Sequence, residues 1–340
     1  MSFLQVRDLT VTFQRSGHPP VRAVDGLTLD VAAGQSVGIV GESGSGKSVT
    51  SLAIMGLLPR RGVKVTGQVR LGDRDLTALT PRQMRDVRGS EVAMIFQDPM
   101  TSLNPVITVG RQLTEVITRH SQASKVDARR EAESLLRRVG IPDPVRRLGE
   151  YPHQLSGGMR QRVMIAIAIA CRPRLLIADE PTTALDVTIQ AQILDLLRDL
   201  VSESGCGLIM ITHDLGVVAG LCDEVHVMYA GRVVESATAT NLFGRPSHPY
   251  TDGLLRSIPR MDDDRGAALH TIRGSVRDLV PWDRGCAFQP RCDRAVDACL
   301  AGPPAVTDVS VTSPHRARCI RPVNVAASST SVSKAKGGVR

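Results

Sequence analysis

Over the first 35 residues apolar and polar side chains alternate: Leu9, Val11 and Phe13, then Leu27, Leu29 and Val31, occupy every second position. Period two is the spacing of one strand face, so this stretch predicts a half-buried antiparallel hairpin region. The texture then switches. Ser36-Val37-Gly38-Ile39-Val40 is a short apolar run, followed at once by a glycine-rich turn and an amphipathic stretch ending at Pro59, which predicts strand, loop, helix. Residues 90–97 predict another apolar strand, and residues 107–140 carry apolar side chains at helical spacing with Arg and Glu between them. Leu175-Leu176-Ile177-Ala178 is wholly apolar, as in a strand covered on both faces of a parallel sheet. A helix over 188–202, a strand over Leu208-Ile209-Met210-Ile211 and a helix over 215–222 follow. Strands alternating with helices predict an α/β fold. Val163 to Ala170 alternates Ile and Ala with period two, which alone suggests a strand. Alanine favours helix and Ser156 can cap one, so the segment is read as a helix.

Near residue 240 strand runs vanish and Pro and Gly become frequent. Met261 to Gly266 reads as a linker, and residues 323–340 as a disordered tail. The 340 residues suffice for two domains or one with an appendage. At 42% hydrophobic and 22% charged the composition is globular, which excludes wholesale disorder. Aromatics at 3% argue against stacking platforms for nucleic acid. The formal charge of +8 suits phosphates or an anionic lipid surface, although most Arg residues read as a solvated face. The longest apolar run, Val163 to Cys171, has nine residues, where a membrane span needs about 20. The first residues lack the apolar stretch of a signal peptide, so a cytoplasmic chain, peripheral to any membrane, is expected. Its cysteines are then expected to be reduced.

Three segments carry chemistry. Gly41-Glu42-Ser43-Gly44-Ser45-Gly46-Lys47-Ser48 matches the eight-residue phosphate loop, between a predicted strand and helix. Glycines let successive N–H groups face one concavity, and the helix adds its positive end. Lys47 would meet the β- and γ-phosphates, and the Ser48 hydroxyl would ligate Mg²⁺. Asp179 and Glu180 end an apolar strand. There Asp179 would hold Mg²⁺ through water and Glu180 would be the general base on the attacking water. Leu155-Ser156-Gly157-Gly158-Met159-Arg160-Gln161-Arg162 enters a helix as a second anion site, which makes sense if it closes over ATP held by another chain.

With these segments the chain resembles the nucleotide-binding subunit of an ABC transporter over at least residues 5–255, including Gln97, Ala184-Leu185-Asp186 and His213. The resemblance implies a P-loop ABC ATPase core over 1–240, a mixed sheet with an antiparallel β subdomain, and a helical signature subdomain over about 98–170. It implies that Gln97 senses Mg²⁺ and the attacking water, that His213 holds the γ-phosphate, and that Asp186 touches the partner across a dimer. It places ATP on the loop 41–48 and on Val49, with the trans signature at Ser156, Gly157, Gly158 and Gln161. Phe13 stands where such families stack the adenine, although on an alternating strand it is equally a core residue.

The strings Gln97 to Pro105, Pro181 to Thr188, His248-Pro249-Tyr250-Thr251 and Gly285 to Cys292 resemble the dipeptide/oligopeptide (and nickel) importer ATPases. That implies a second, different ATPase chain, two transmembrane permease subunits and an extracytoplasmic peptide-binding protein, with no nucleic acid partner and a place at the cytoplasmic face of the cell membrane. A soluble ABC ATPase acting on nucleic acid or ribosomes is the competing class. Lys47 and Ser156 stand only 109 positions apart, which leaves no room for the coiled coil of the DNA-repair relatives.

Cys286, Cys292, Cys299 and Cys319 crowd the extension over 241–322. Four thiolates can hold Zn²⁺ or a [4Fe–4S] cluster, and the spacing does not choose between these and free thiols. The resemblance favours a [4Fe–4S] cluster, with zinc as the alternative. The expectation is a small Cys-rich C-terminal domain whose metal supplies the missing folding energy, with Arg284, Arg291, Arg294, Arg316 and Arg318 offsetting its charge.

Overall fold

The computed structural model of the chain describes residues 2–183, 185–258, 271–275, 278–310 and 314–324. The linker expected at Met261 to Gly266 and most of the expected tail lie outside these residues, as does Ala184. Among the described residues twelve strands run in chain order: β1 (Ser2–Phe13), β2 (Val21–Ala32), β3 (Ser36–Val40), β4 (Val63–Leu71), β5 (Arg74–Asp75), β6 (Val92–Ile95), β7 (Leu175–Asp179), β8 (Gly207–Thr212), β9 (Glu224–Tyr229), β10 (Arg232–Thr238), β11 (Thr307–Asp308) and β12 (His315–Ala317).

The alternating N-terminal segment forms an antiparallel sheet in the order β2-β1-β4-β5. Its buried face, with Leu4, Val6, Leu9, Val11 and Leu29, packs over one side of the main sheet. The main sheet runs β11-β12-β10-β9-β3-β8-β7-β6. From β9 to β6 its neighbours are parallel, and β3, β7 and β8 are buried at every position. That is why these strands read as unbroken apolar runs. No helix among the described residues is long and apolar enough to cross a membrane.

Between β6 and β7 the chain is helical: Val109–His120, Lys125–Arg138 and Gly157–Ile169 pack on one another through Leu113, Ile117, Leu135, Leu136 and Ile165. The Ile/Ala run is helix Gly157–Ile169, with Ser156 Oγ accepting the Met159 N–H at 3.3 Å. It is buried on nearly all sides, so no polar stripe marks its helical period.

The independent Cys-rich domain expected at the C-terminus is corrected by the structure. β12 pairs antiparallel with β10, Ala237 opposite His315, and β11 pairs with β12. Trp282, Cys286, Ala287, Phe288 and Cys299 belong to the same hydrophobic cluster as Val40, Ile95 and Leu113. Trp282 Nε1 also donates to Ala230 O at 2.8 Å. The extension therefore shares the main core and is stabilised by burial there. Buried Glu235 on β10 anchors it further. Its carboxylate accepts the N–H groups of Ser247 and His248, each at 2.7 Å, and lies 2.7 Å from His315 Nε2.

Candidate active site

β3 delivers the chain into the phosphate loop, and helix Lys47–Ile54 leaves it. Two glycines are dictated by contact. A Cβ on Gly41 (φ 152°) would stand 2.3 Å from Met228 O, and one on Gly46 (φ 104°) 2.3 Å from Ala23 O. Both obstacles are backbone. Gly46→Ala should therefore cost about 1–3 kcal/mol in backbone strain alone and weaken ATP binding by at least about tenfold. Nucleotide titration beside thermal melting checks this, and wild-type affinity would show that the loop tolerates the side chain.

Lys47 is buried and its Nζ donates to Gly41 O at 2.7 Å and Glu42 O at 3.0 Å. Burial lowers its pKa, opposed by the charges of Glu180, Asp179 and Glu42. Ser48 Oγ donates to Asp179 Oδ1 at 3.0 Å and Ser51 Oγ to Oδ2 at 3.3 Å. Burial raises the pKa of Asp179 although both hydroxyls support the charged form. Ser43 and Gly44 are exposed at the loop tip, Ser45 is buried, and Val49 lies half-buried in the first helical turn.

Glu180 follows β7 with φ at 46°, in the left-handed region, and its N–H donates to Ile211 O at 2.8 Å. Such an outlier marks a residue whose direction is set by its surroundings. Its carboxylate collects three partners. Gln97 Nε2 donates to Oε2 at 3.0 Å, Thr183 Oγ1 donates to the same oxygen at 2.9 Å, and His213 Nδ1 lies 3.3 Å from Oε1. Glu180, Gln97 and His213 thus meet at one point. Thr183 joins them without having been singled out, because nothing local separates it from Thr182.

Other predicted residues stand elsewhere. Phe13 ends β1, half-buried against the small sheet's core and paired with Val21 and Val63. Ser156 and Gly157 are exposed, Gly158 packs near Ile189, and Gln161 is buried. Among the described residues no hydrogen bond joins this turn to the phosphate loop. Asp186 is exposed and caps helix Val187–Ser204, accepting the Ile189 N–H at 3.0 Å.

Two residues of the C-terminal third reach the loop unforeseen. The Tyr250 hydroxyl accepts the Glu42 N–H at 2.9 Å, and Arg291 forms a two-pronged ion pair with the Glu42 carboxylate at 2.7 and 2.9 Å. Arg291 is thereby corrected: its charge meets Glu42, not a cysteine cluster. The metal expectation itself is overturned. Cys286, Cys292, Cys299 and Cys319 line one small cavity with Phe288, Pro304 and Ile320. Among the described residues, however, no group of three or more His, Cys, Asp or Glu could hold a metal ion. Burial pushes the Cys286 and Cys319 thiols up to about 11 and raises Cys292. The [4Fe–4S] cluster and its zinc alternative are withdrawn.

Residues 24–183 match the ABC transporter family, and residues 234–299 match the oligopeptide/dipeptide transporter C-terminal region. The oligopeptide transport ATP-binding protein AppD of Bacillus subtilis (strain 168) is 52% identical over 306 residues, 90% of this chain and 93% of that one. The chain belongs to the ATP-binding subunits of ABC transporters. The oligopeptide transport ATP-binding protein OppD of Salmonella typhimurium is 50% identical, covering 94% of each chain. Among solved structures, the dimeric ATP-binding cassette MJ0796 in a post-hydrolysis state with ADP and phosphate superposes with a TM-score of 0.63 at 28% identity. It covers 69% of this chain and 98% of its own. The ABC subunit described here is accordingly an ATPase built on the mixed α/β cassette fold.

Proposed function

We propose that this ABC subunit couples ATP hydrolysis to the import of di- and oligopeptides through membrane permease subunits. Identity of 50–52% across at least nine-tenths of the chain, to relatives named for oligopeptide transport, carries the reading. The subunit pairs head to tail with a second ATPase chain at the cytoplasmic face of the membrane, and an extracytoplasmic binding protein delivers peptide.

The mechanism follows from the side chains. Lys47, held by the Gly41 and Glu42 carbonyls, is poised at the loop mouth to exchange them for β- and γ-phosphate oxygens. Loop N–H groups and the start of helix Lys47–Ile54 take the remaining phosphate charge. Glu180 takes the proton from the attacking water, while Gln97, Thr183 and His213 fix its carboxylate. Ser156, Gly157 and Gly158 stabilise the γ-phosphate held by the partner chain, and Asp186 meets that partner. Phe13 stacks the adenine. Ser48, Asp179 and Gln97 supply hydroxyl, carboxylate and amide oxygens, the donor set that suits Mg²⁺, and buried Asp179 is a carboxylate that gains from a cation. When bound, Mg²⁺ neutralises phosphate charge.

Deleting the gene should abolish uptake of labelled di- or oligopeptides, with restoration by the wild-type chain but not by Glu180→Gln. Undiminished peptide uptake, with loss of nickel uptake instead, would overturn the peptide assignment.

A further inference from the structure

Glu42 is the second residue of the phosphate loop, and groups from the far end of the chain grip it on both sides. Its N–H is taken by the Tyr250 hydroxyl and its carboxylate by both terminal nitrogens of Arg291. Its carbonyl accepts from Lys47 Nζ. Glu42 therefore stands as the single residue between Arg291 and Lys47, the lysine expected to meet the phosphates.

Arg291 is built for this. Its side chain is only 3% exposed. Nε donates to Arg273 O at 2.9 Å, and one terminal nitrogen also reaches the Tyr229 hydroxyl at 3.4 Å. The guanidinium carbon lies 5.8 Å from the Tyr229 ring centre and 5.9 Å from that of Phe288. Pairing with Glu42 raises its pKa, so it stays charged. Tyr250 is fully buried and packs edge-on against Tyr229, with ring centres 4.7 Å apart. The helix bearing it, Pro249–Arg256, is capped by His248, whose N–H donates to Glu235. Both grips are thus rigid, and a planar fork fixes a carboxylate in two dimensions where a lysine would not. Glu42 also needs the pairing electrostatically, because a bare carboxylate in this loop repels the triphosphate that the loop must accept.

Resting on the nucleotide site proposed above, we propose that Arg291, together with Tyr250, is a positioning residue for ATP: the C-terminal extension sets the phosphate loop by clamping Glu42. The extension is then part of the nucleotide site, and any partner that displaces it lowers ATP affinity.

The test is a double-mutant cycle on the full-length chain, reading binding of a fluorescent ATP analogue and steady-state hydrolysis. Arg291→Ala should weaken ATP binding and raise KM about tenfold, with kcat within roughly twofold of wild type. A merely structural role would instead lower the active fraction, and so kcat, at unchanged KM. Arg291→Ala with Glu42→Gln should bind no more weakly than Arg291→Ala alone, because the two substitutions break one interaction. Losses that multiply, or an unchanged KM in Arg291→Ala, overturn the proposal. Should Arg291→Ala fail to fold, Tyr250→Phe decides. It removes one hydroxyl and should weaken binding roughly threefold to tenfold, and wild-type affinity in this variant overturns the clamp. Lys47→Ala guards the underlying site: normal ATP binding in that variant would refute the nucleotide site itself, whatever Arg291 does.

Discussion

Glu180→Gln is expected to abolish turnover while ATP binding stays at wild-type strength. The amide has nearly the shape of the carboxylate and can still meet Thr183 Oγ1 and His213, so the local geometry survives. It cannot take a proton. Loss of a positioned general base typically costs about 10²–10⁴ in rate. In the proposed mechanism nucleotide affinity resides in other groups, Lys47 and the loop N–H groups, and Glu180 shares none of its hydrogen bonds with them. Phosphate release in a single turnover, measured beside equilibrium ATP binding, separates the two effects. Turnover within a few-fold of wild type would remove Glu180 from the base role. Loss of binding together with turnover would make it a structural support of the loop.

The parts of this site that could be read from sequence are those whose cause is local. A phosphate loop declares itself because backbone geometry demands glycine at Gly41 and Gly46, where a Cβ would strike Met228 O and Ala23 O. β7 declares itself because burial on both faces demands an unbroken apolar run ending in the acids. The Ile/Ala helix is a harder case. All-round burial erased its period, and only alanine's helix preference and the Ser156 cap pointed to the correct element.

What stayed hidden is non-local. β12 has three residues and exists because β10 offers it an edge. The Arg291–Glu42 pair spans 249 positions, and Arg291 sits among many arginines of similar local setting. The cysteines misled for the same reason. Counting thiols in a weakly apolar segment implied a domain too small to stand alone. Trp282, Phe288 and Cys299 in fact belong to the core of the main sheet, so the segment is not a free-standing domain.

The second large effect concerns the Ser156 turn. Ser156→Arg should reduce hydrolysis by the assembled transporter about 100-fold or more, the loss expected when a positioned donor to a developing anion is removed. ATP binding by the isolated chain should remain intact. Ser156 opens a 13-residue helix whose first N–H groups and dipole favour an anion. Ser156 and Gly157 are exposed, and among the described residues no hydrogen bond joins the turn to the phosphate loop. A cassette needs only one γ-phosphate site per nucleotide, so on the proposed function this second site serves ATP bound by a partner; the 28%-identical cassette was itself solved as a dimer. Glycine at 158 is constrained from its own side too, since a Cβ there would stand 2.9 Å from Ile189 Cγ2. With Ser156→Cys here and the phosphate-loop Ser of the partner also changed to Cys, a disulfide should form efficiently only with ATP present and the base blocked. If Ser156→Arg loses ATP binding in the isolated chain, the turn serves its own nucleotide. If the cysteines never cross-link in the full complex under any nucleotide condition, the head-to-tail arrangement fails.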